Sequence, residues 1–151
     1  VTMMVVPTGI TPTPSTCRHV AGVFLLYGEL TLLCRRSLTY EGRPVSYGGY
    51  WSPFTGSSEE GESPLDTAIR ELYEESGKKI SAGDLTYMEE IPRDTGSIFL
   101  YACELDDFFS PALDAEHTEY GYFKINSLDT SPSPSCPLMV KAVQDFDKNQ
   151  R

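Results

Sequence analysis

An α/β domain, with a mixed β-sheet held between helices, is the fold class this sequence predicts, and three observations carry it. Short apolar runs alternate with turn residues in the order strands, helix, strands, helix. The first helix is bounded by clear start and stop signals. The chain has 151 residues, 40% of them hydrophobic, which is the size of one domain with a substantial core.

The elements follow in order. Residues 1–17, rich in Pro and Thr, read as an N-terminal arm, with Met3–Val6 a candidate for addition to a sheet edge; a single domain is expected over 18–151. His19–Tyr27 and Leu30–Arg35 are apolar runs broken at Gly28–Glu29, which predicts a hairpin. Residues 37–50 form a polar loop rich in aromatics and glycine, a composition suited to facing a ligand, although ordinary loops share it. Ser63 can cap a helix, Pro64 fits its first turn, Asp66 is expected to complete a capping box, and Gly77 offers a left-handed stop. Between them, Leu65, Ala68, Ile69 and Leu72 recur at helical spacing and predict one buried stripe. Leu85–Ile91 and Ile98–Leu105 read as strands, 106–119 as an acidic loop, and Tyr120–Ile125 as a further short strand. A stiff Ser-Pro connector at 131–137 leads into a helix over 138–146, with Leu138, Ala142 and Phe146 aligned.

Twelve basic against 22 acidic side chains leave a net charge of −10. Such a surface repels nucleic-acid backbones and anionic membranes, so general nucleic-acid or membrane binding is not expected; a phosphorylated small molecule is not excluded. Cys17, Cys34, Cys103 and Cys136 are scattered, with no CxxC pair, and read as reduced thiols. Neither a secretory pattern nor an apolar run of membrane-spanning length is visible, and a cytoplasmic location is expected.

Glu71, Glu74 and Glu75 share one sector of the first helix, roughly 100° wide, whose centre lies about 110° round from the apolar stripe. A solvated acidic face is the more ordinary explanation of such a cluster when it is taken alone. In a crowded, partly dry site, however, the carboxylates need cations, and hard Mg²⁺ or Mn²⁺ prefers oxygen ligands.

The wider spacing removes that ambiguity. Gly56 is followed after five residues by Glu62, then after seven by Arg70-Glu71-Leu72-Tyr73-Glu74-Glu75-Ser76-Gly77. Residues 56–77 resemble the signature of the Nudix hydrolases, the family that cleaves nucleoside diphosphates linked to another moiety, at every fixed polar or glycine position. Lys78 departs from the aliphatic residue usual after the last glycine, and Phe54-Thr55 stands where many members have Pro-Gly. The resemblance implies an α/β/α sandwich, Mg²⁺ or Mn²⁺ as cofactor, and a small nucleotide-derived substrate; a homodimer is compatible with it.

By the same resemblance, Glu71, Glu74 and Glu75 are expected as metal ligands, joined by the carbonyl of the Gly56 region. Glu62 and Arg70 look like supports, the Arg70 fork holding a carboxylate such as Glu62. The general base is sought in the later acidic segment, at Glu116 or Glu119, with Glu116 preferred; His117 between them reads as a solvated loop histidine. For the substrate, Trp51 and Tyr50 are candidates for stacking, with Tyr47 and Tyr40 behind them, and Arg35, Arg36 and Arg43 for meeting phosphates. Arg35 and Arg36 must face opposite sides of a strand, and Arg35 is chosen with Arg43 and Glu119. The leading expectation is a pyrophosphohydrolase acting on a nucleotide sugar or ADP-ribose. Hydrolysis of nucleoside triphosphates or dihydroneopterin triphosphate, and a non-catalytic nucleotide-binding module, stand as alternatives.

Overall fold

The computed structural model describes residues 18–150; the expected arm at 1–17, with Met3–Val6, lies outside the described residues. Strands β1 (Val20–Tyr27) and β2 (Leu30–Arg36) form the expected hairpin. The loop after them carries a small two-stranded ladder, β3 (Thr39–Tyr40) with β4 (Arg43–Pro44). Next come β5 (Trp51–Ser52), β6 (Phe54–Ser57), helix α1 (Pro64–Ser76), β7 (Thr86–Ile91), β8 (Ile98–Glu104), β9 (His117–Lys124) and helix α2 (Pro137–Gln150).

The main sheet runs β9-β2-β1-β8-β7, with β5 added to β2 and β6 to β1. Its β1–β8 pair is parallel and its other ladders are antiparallel, so the sheet is mixed. Period-two alternation along β1 gives the sheet two apolar faces. Ala21, Val23 and Leu25 pack with Ala68 and Leu72 of α1, whereas Phe24 and Leu26 pack with Ala142 and Val143 of α2. The result is the α/β/α sandwich expected. Among the described residues no helix is long and apolar enough to cross a membrane.

Helix α1 begins and ends where its signals place it. The Ser63 hydroxyl accepts from Asp66 N at 3.1 Å, and Gly77 sits at φ 82° with its N–H on the Tyr73 carbonyl. Only the Ser63 half of the capping box forms among the described residues. An aspartate at the third position is one methylene shorter than the glutamate usual in a box, which limits its reach back to the cap. The buried stripe is also rotated. Thr67, Ala68, Leu72, Glu75 and Ser76 are buried, while Ile69 is only half-buried.

Two further expectations are corrected. Strand β9 starts at His117 rather than at Tyr120, because His117 and Glu119 pair with Arg36 and Arg35 of β2 across a bulge. His117 is therefore buried, not a solvated loop residue. In α2 the sheet-facing side is built on Met139, Ala142, Val143 and Phe146, leaving Leu138 57% exposed.

Candidate metal and substrate cleft

Strand β6 and helix α1 meet through Gly56 and Glu71, and the cluster is built outward from there. Arg70 ties the preceding loop to the helix. Its Nε donates to Glu62 Oε2 at 2.7 Å, and its Nη2 donates to Glu62 Oε1 and to the Ser57 carbonyl, each at 2.9 Å. Glu62 also accepts from the Thr67 hydroxyl at 2.8 Å and from Glu59 N at 2.9 Å. The Arg70 hydrogen bond, helped by those from Glu59 and Thr67, holds the Glu62 carboxyl down at about 2 against the opposing effect of burial.

A folded carboxyl held below its ordinary value contributes stability above that value and loses it as pH falls toward the folded one. Arg70→Ala is thus expected to cost about 2–3 kcal/mol at pH 7, between the ranges for exposed and buried pairs. In urea unfolding, the deficit against wild type should shrink as pH is lowered from 5 to about 2. Equal stabilities at pH 7 would show that the pair does not hold the loop.

The three helical carboxylates are not equivalent. Glu74 is half-exposed and is turned to Arg70, whose Nη1 lies 3.2 Å from its Oε1. Glu71 is largely covered, and burial raises its carboxyl to about 7, with Arg70 pulling it back and Glu74 and Glu116 pushing it further up. Glu75 is 4% exposed, and its Oε1 is buried without a hydrogen-bond partner. Burial first, then the charges of Glu71, Asp114 and Glu116, push it up to about 10, with Arg36 partly offsetting them. An unpartnered buried carboxylate is costly, and a proton or a cation must relieve it.

Gly56 completes this corner by having no side chain. A Cβ there would lie 1.6 Å from Glu71 Oε2, so the carboxylate occupies the space a side chain would take. The orphaned oxygen of Glu75, the cradle at Gly56 and a donor set made only of oxygen all fit Mg²⁺ or Mn²⁺. No three His, Cys, Asp or Glu side chains among the described residues close into a finished ligand shell, and Glu74 is engaged with Arg70.

Glu71 and Glu75 open onto a cleft of about 510 Å³. Gly56, Glu116, Tyr50 and Trp51 line it as well, so six of the residues chosen from sequence meet there. Glu62, Arg70 and Glu74 lie behind it. Arg35, Arg43 and Glu119 do not reach it: Arg35 and Glu119 form an exposed pair at 3.2 Å, and Arg43 lies exposed on β4. The physical reason is strand parity. Leu32 and Cys34 face α1, so Arg36 shares their side of β2 and lines the cleft, while Arg35 falls with Leu33 on the other side. That parity was readable from the apolar pattern of β2.

The cleft also takes Arg93, Leu138 and Met139, which carried no sequence signal beyond an ordinary turn and a core stripe. Trp51 is partly spoken for, its ring standing edge-on to Phe123 at 5.2 Å. Tyr47 lines the cleft and is 68% exposed. A second cavity, of about 540 Å³, opens between α2 and residues 128–135, but none of Glu71, Glu75 or Glu116 lines it, so the carboxylate chemistry belongs to the first.

A family profile described as the NUDIX domain matches residues 17–146. The chain belongs to that family. The family is that of the Nudix hydrolases, a class acting on phosphoanhydride bonds. Among solved structures, the MutT protein of Methanosarcina mazei Go1 is 18% identical, with a TM-score of 0.68 over 89% of this chain and 95% of that one. The dihydroneopterin triphosphate pyrophosphohydrolase of E. coli is 21% identical, with a TM-score of 0.65 over 87% of this chain and 95% of that one. At such identities the likeness shows the Nudix fold. A stretch of 52 residues is 46% identical to an octanoyltransferase of Myxococcus xanthus, covering 34% of this chain and spanning only 14% of the length of that protein.

Proposed function

We propose that this Nudix chain is a metal-dependent pyrophosphohydrolase that cleaves the diphosphate linkage of a nucleoside diphosphate joined to another moiety, such as a nucleotide sugar or ADP-ribose. The observation that carries this reading is Glu75, a carboxylate buried beside Glu71 with an oxygen left unpartnered at the cleft. Glu71 and Glu75 would hold Mg²⁺ or Mn²⁺ with the Gly56 carbonyl, and Glu74, held by Arg70 outside the cleft, is the weakest member of the set. When bound, the metal supplies charge neutralisation at the diphosphate and makes water more acidic.

The chain's own residues divide the remaining work. Glu116, across the cleft, accepts a proton from the attacking water. The water oxygen bonds to one phosphorus, the bridging P–O bond breaks, and the bridging oxygen leaves with the other phosphate. Arg36, which lines the cleft and partly offsets the negative charge around Glu75, orients the phosphates. Arg70 and Glu62 fix the loop against α1 and touch no substrate. The Tyr47, Tyr50 and Trp51 wall suits a planar base. We also propose a cytoplasmic location, and a homodimer is compatible with this reading.

The experiment is a panel of nucleotide sugars, ADP-ribose, dinucleoside polyphosphates, nucleoside triphosphates and dihydroneopterin triphosphate, with Mg²⁺ or Mn²⁺ and with EDTA. The expected result is metal-dependent release of two phosphorylated products, highest for a diphosphate linking a nucleoside to another group. Preference for a triphosphate would move the substrate class within the family. Metal binding without turnover on any compound would leave a nucleotide-binding module.

A further inference from the structure

We infer that Asp114 and His117 form a clamp that positions Glu116, a role that rests on the reading of Glu116 as the general base. Glu116 sits in the last turn before β9, a place where an acidic loop would ordinarily move. Its backbone is instead fixed on both sides. Its N–H donates to Asp114 Oδ1 at 3.0 Å, and its carbonyl accepts from Ser37 N at 2.8 Å. The Ser37 hydroxyl donates to the preceding carbonyl, that of Ala115, at 3.0 Å. Ser37 directly follows Arg36, so one junction ties the Glu116 backbone to the strand that carries Arg36, and both residues line the cleft.

His117 is what holds Asp114 in place. Its Nδ1 lies 3.0 Å from the same Oδ1 that accepts the Glu116 amide. An ionised carboxylate only accepts, so Nδ1 carries the hydrogen and donates it; in the neutral ring this leaves Nε2 bare. That Nε2 is buried without a partner, the side chain is 1% exposed, and the ring meets Phe54 edge-on at 5.9 Å. An apolar side chain would fill this position without burying an unpaired nitrogen. Packing therefore does not explain a histidine here, whereas the Nδ1 bond to Asp114 does. Misplacing a reacting group by an ångström costs on the order of 100-fold in rate, so such a fixture has a catalytic consequence even though neither residue touches substrate.

The test combines His117→Leu, which removes the donor and keeps an apolar filling, with His117→Asn, which restores an N–H near the Nδ1 position. Amide hydrogen exchange at Glu116, read by NMR on the full-length metal-free protein, should be at least ~10-fold faster in His117→Leu than in wild type and recover in His117→Asn. With Mg²⁺ and the best substrate of the panel, His117→Leu should lower kcat ~10–100-fold with KM within about twofold, and His117→Asn should recover most of it. Added to Glu116→Gln, His117→Leu should do no further harm. Unchanged exchange at Glu116 in His117→Leu overturns the clamp, as does a rate loss that adds fully to that of Glu116→Gln. Faster exchange together with a full rate in Glu116→Gln leaves the clamp standing and removes Glu116 as the base.

Discussion

Glu75→Gln is expected to lower turnover roughly 10³-fold or more, because it removes a charged donor facing the diphosphate and several kcal/mol of transition-state stabilisation with it. The same change should make the metal-free protein more stable. Burial and the charges of Glu71, Asp114 and Glu116 push the Glu75 carboxyl up to about 10 in the fold. In the unfolded chain it ionises near its ordinary value, so the folded state is progressively disfavoured as pH rises from about 4.5 toward about 10. Glutamine has no proton to lose and escapes this. In EDTA at pH 8 the variant should therefore melt several degrees above wild type, a difference on the order of 1–3 kcal/mol. At pH 4 the two should melt together. Adding Mn²⁺ should raise the wild-type Tm and leave the variant nearly unmoved. A Glu75→Gln protein that keeps wild-type turnover, or gains as much stability from Mn²⁺, would remove Glu75 from the metal site.

That prediction depends on something helical periodicity does not reveal. Spacing alone puts Glu75 on a side adjacent to the apolar stripe, yet it is as buried as the stripe itself. The cause lies outside the helix, in the strand β6 that lies against α1 and in the loop that brings Asp114 and Glu116 toward it. Local signals survived where they depend on the backbone of their own segment. Ser63, Pro64 and Gly77 bound α1 as their chemistry requires, and Gly28–Glu29 turns between β1 and β2. Residues whose place depends on a partner strand were harder to read. His117 and Glu119 look like loop residues from charge alone, because the Arg35 that pairs with Glu119 lies 84 positions away. Leu138 fits a helical stripe by spacing, but α2 is rotated so that Met139 and Val143 meet the sheet instead.

Gly56→Ala is expected to separate the site from the fold. The new Cβ would stand 1.6 Å from Glu71 Oε2, 2.0 Å from its Cδ and 2.4 Å from its Cγ, so Glu71 cannot keep its present position. All three contacts are with a single flexible side chain, and the backbone at Gly56 is paired with Ala21 as ordinary antiparallel strand. Alanine loses less conformational freedom than glycine on folding, which offsets part of the cost of moving Glu71. The net change in Tm should be small, within about 4 °C. The displaced carboxylate takes one donor away from the metal site, so Mn²⁺ affinity should fall about 10–100-fold and turnover about 10²–10³-fold. Glu71→Gln should produce a similar loss, and the double variant should be little worse than either, since both changes act on one group. Calorimetric Mn²⁺ titration, kcat and melting temperature measured on the three variants decide the matter. Retained turnover in Gly56→Ala would mean that Glu71 can serve from another position. A large drop in Tm with metal affinity intact would instead make this glycine a requirement of folding.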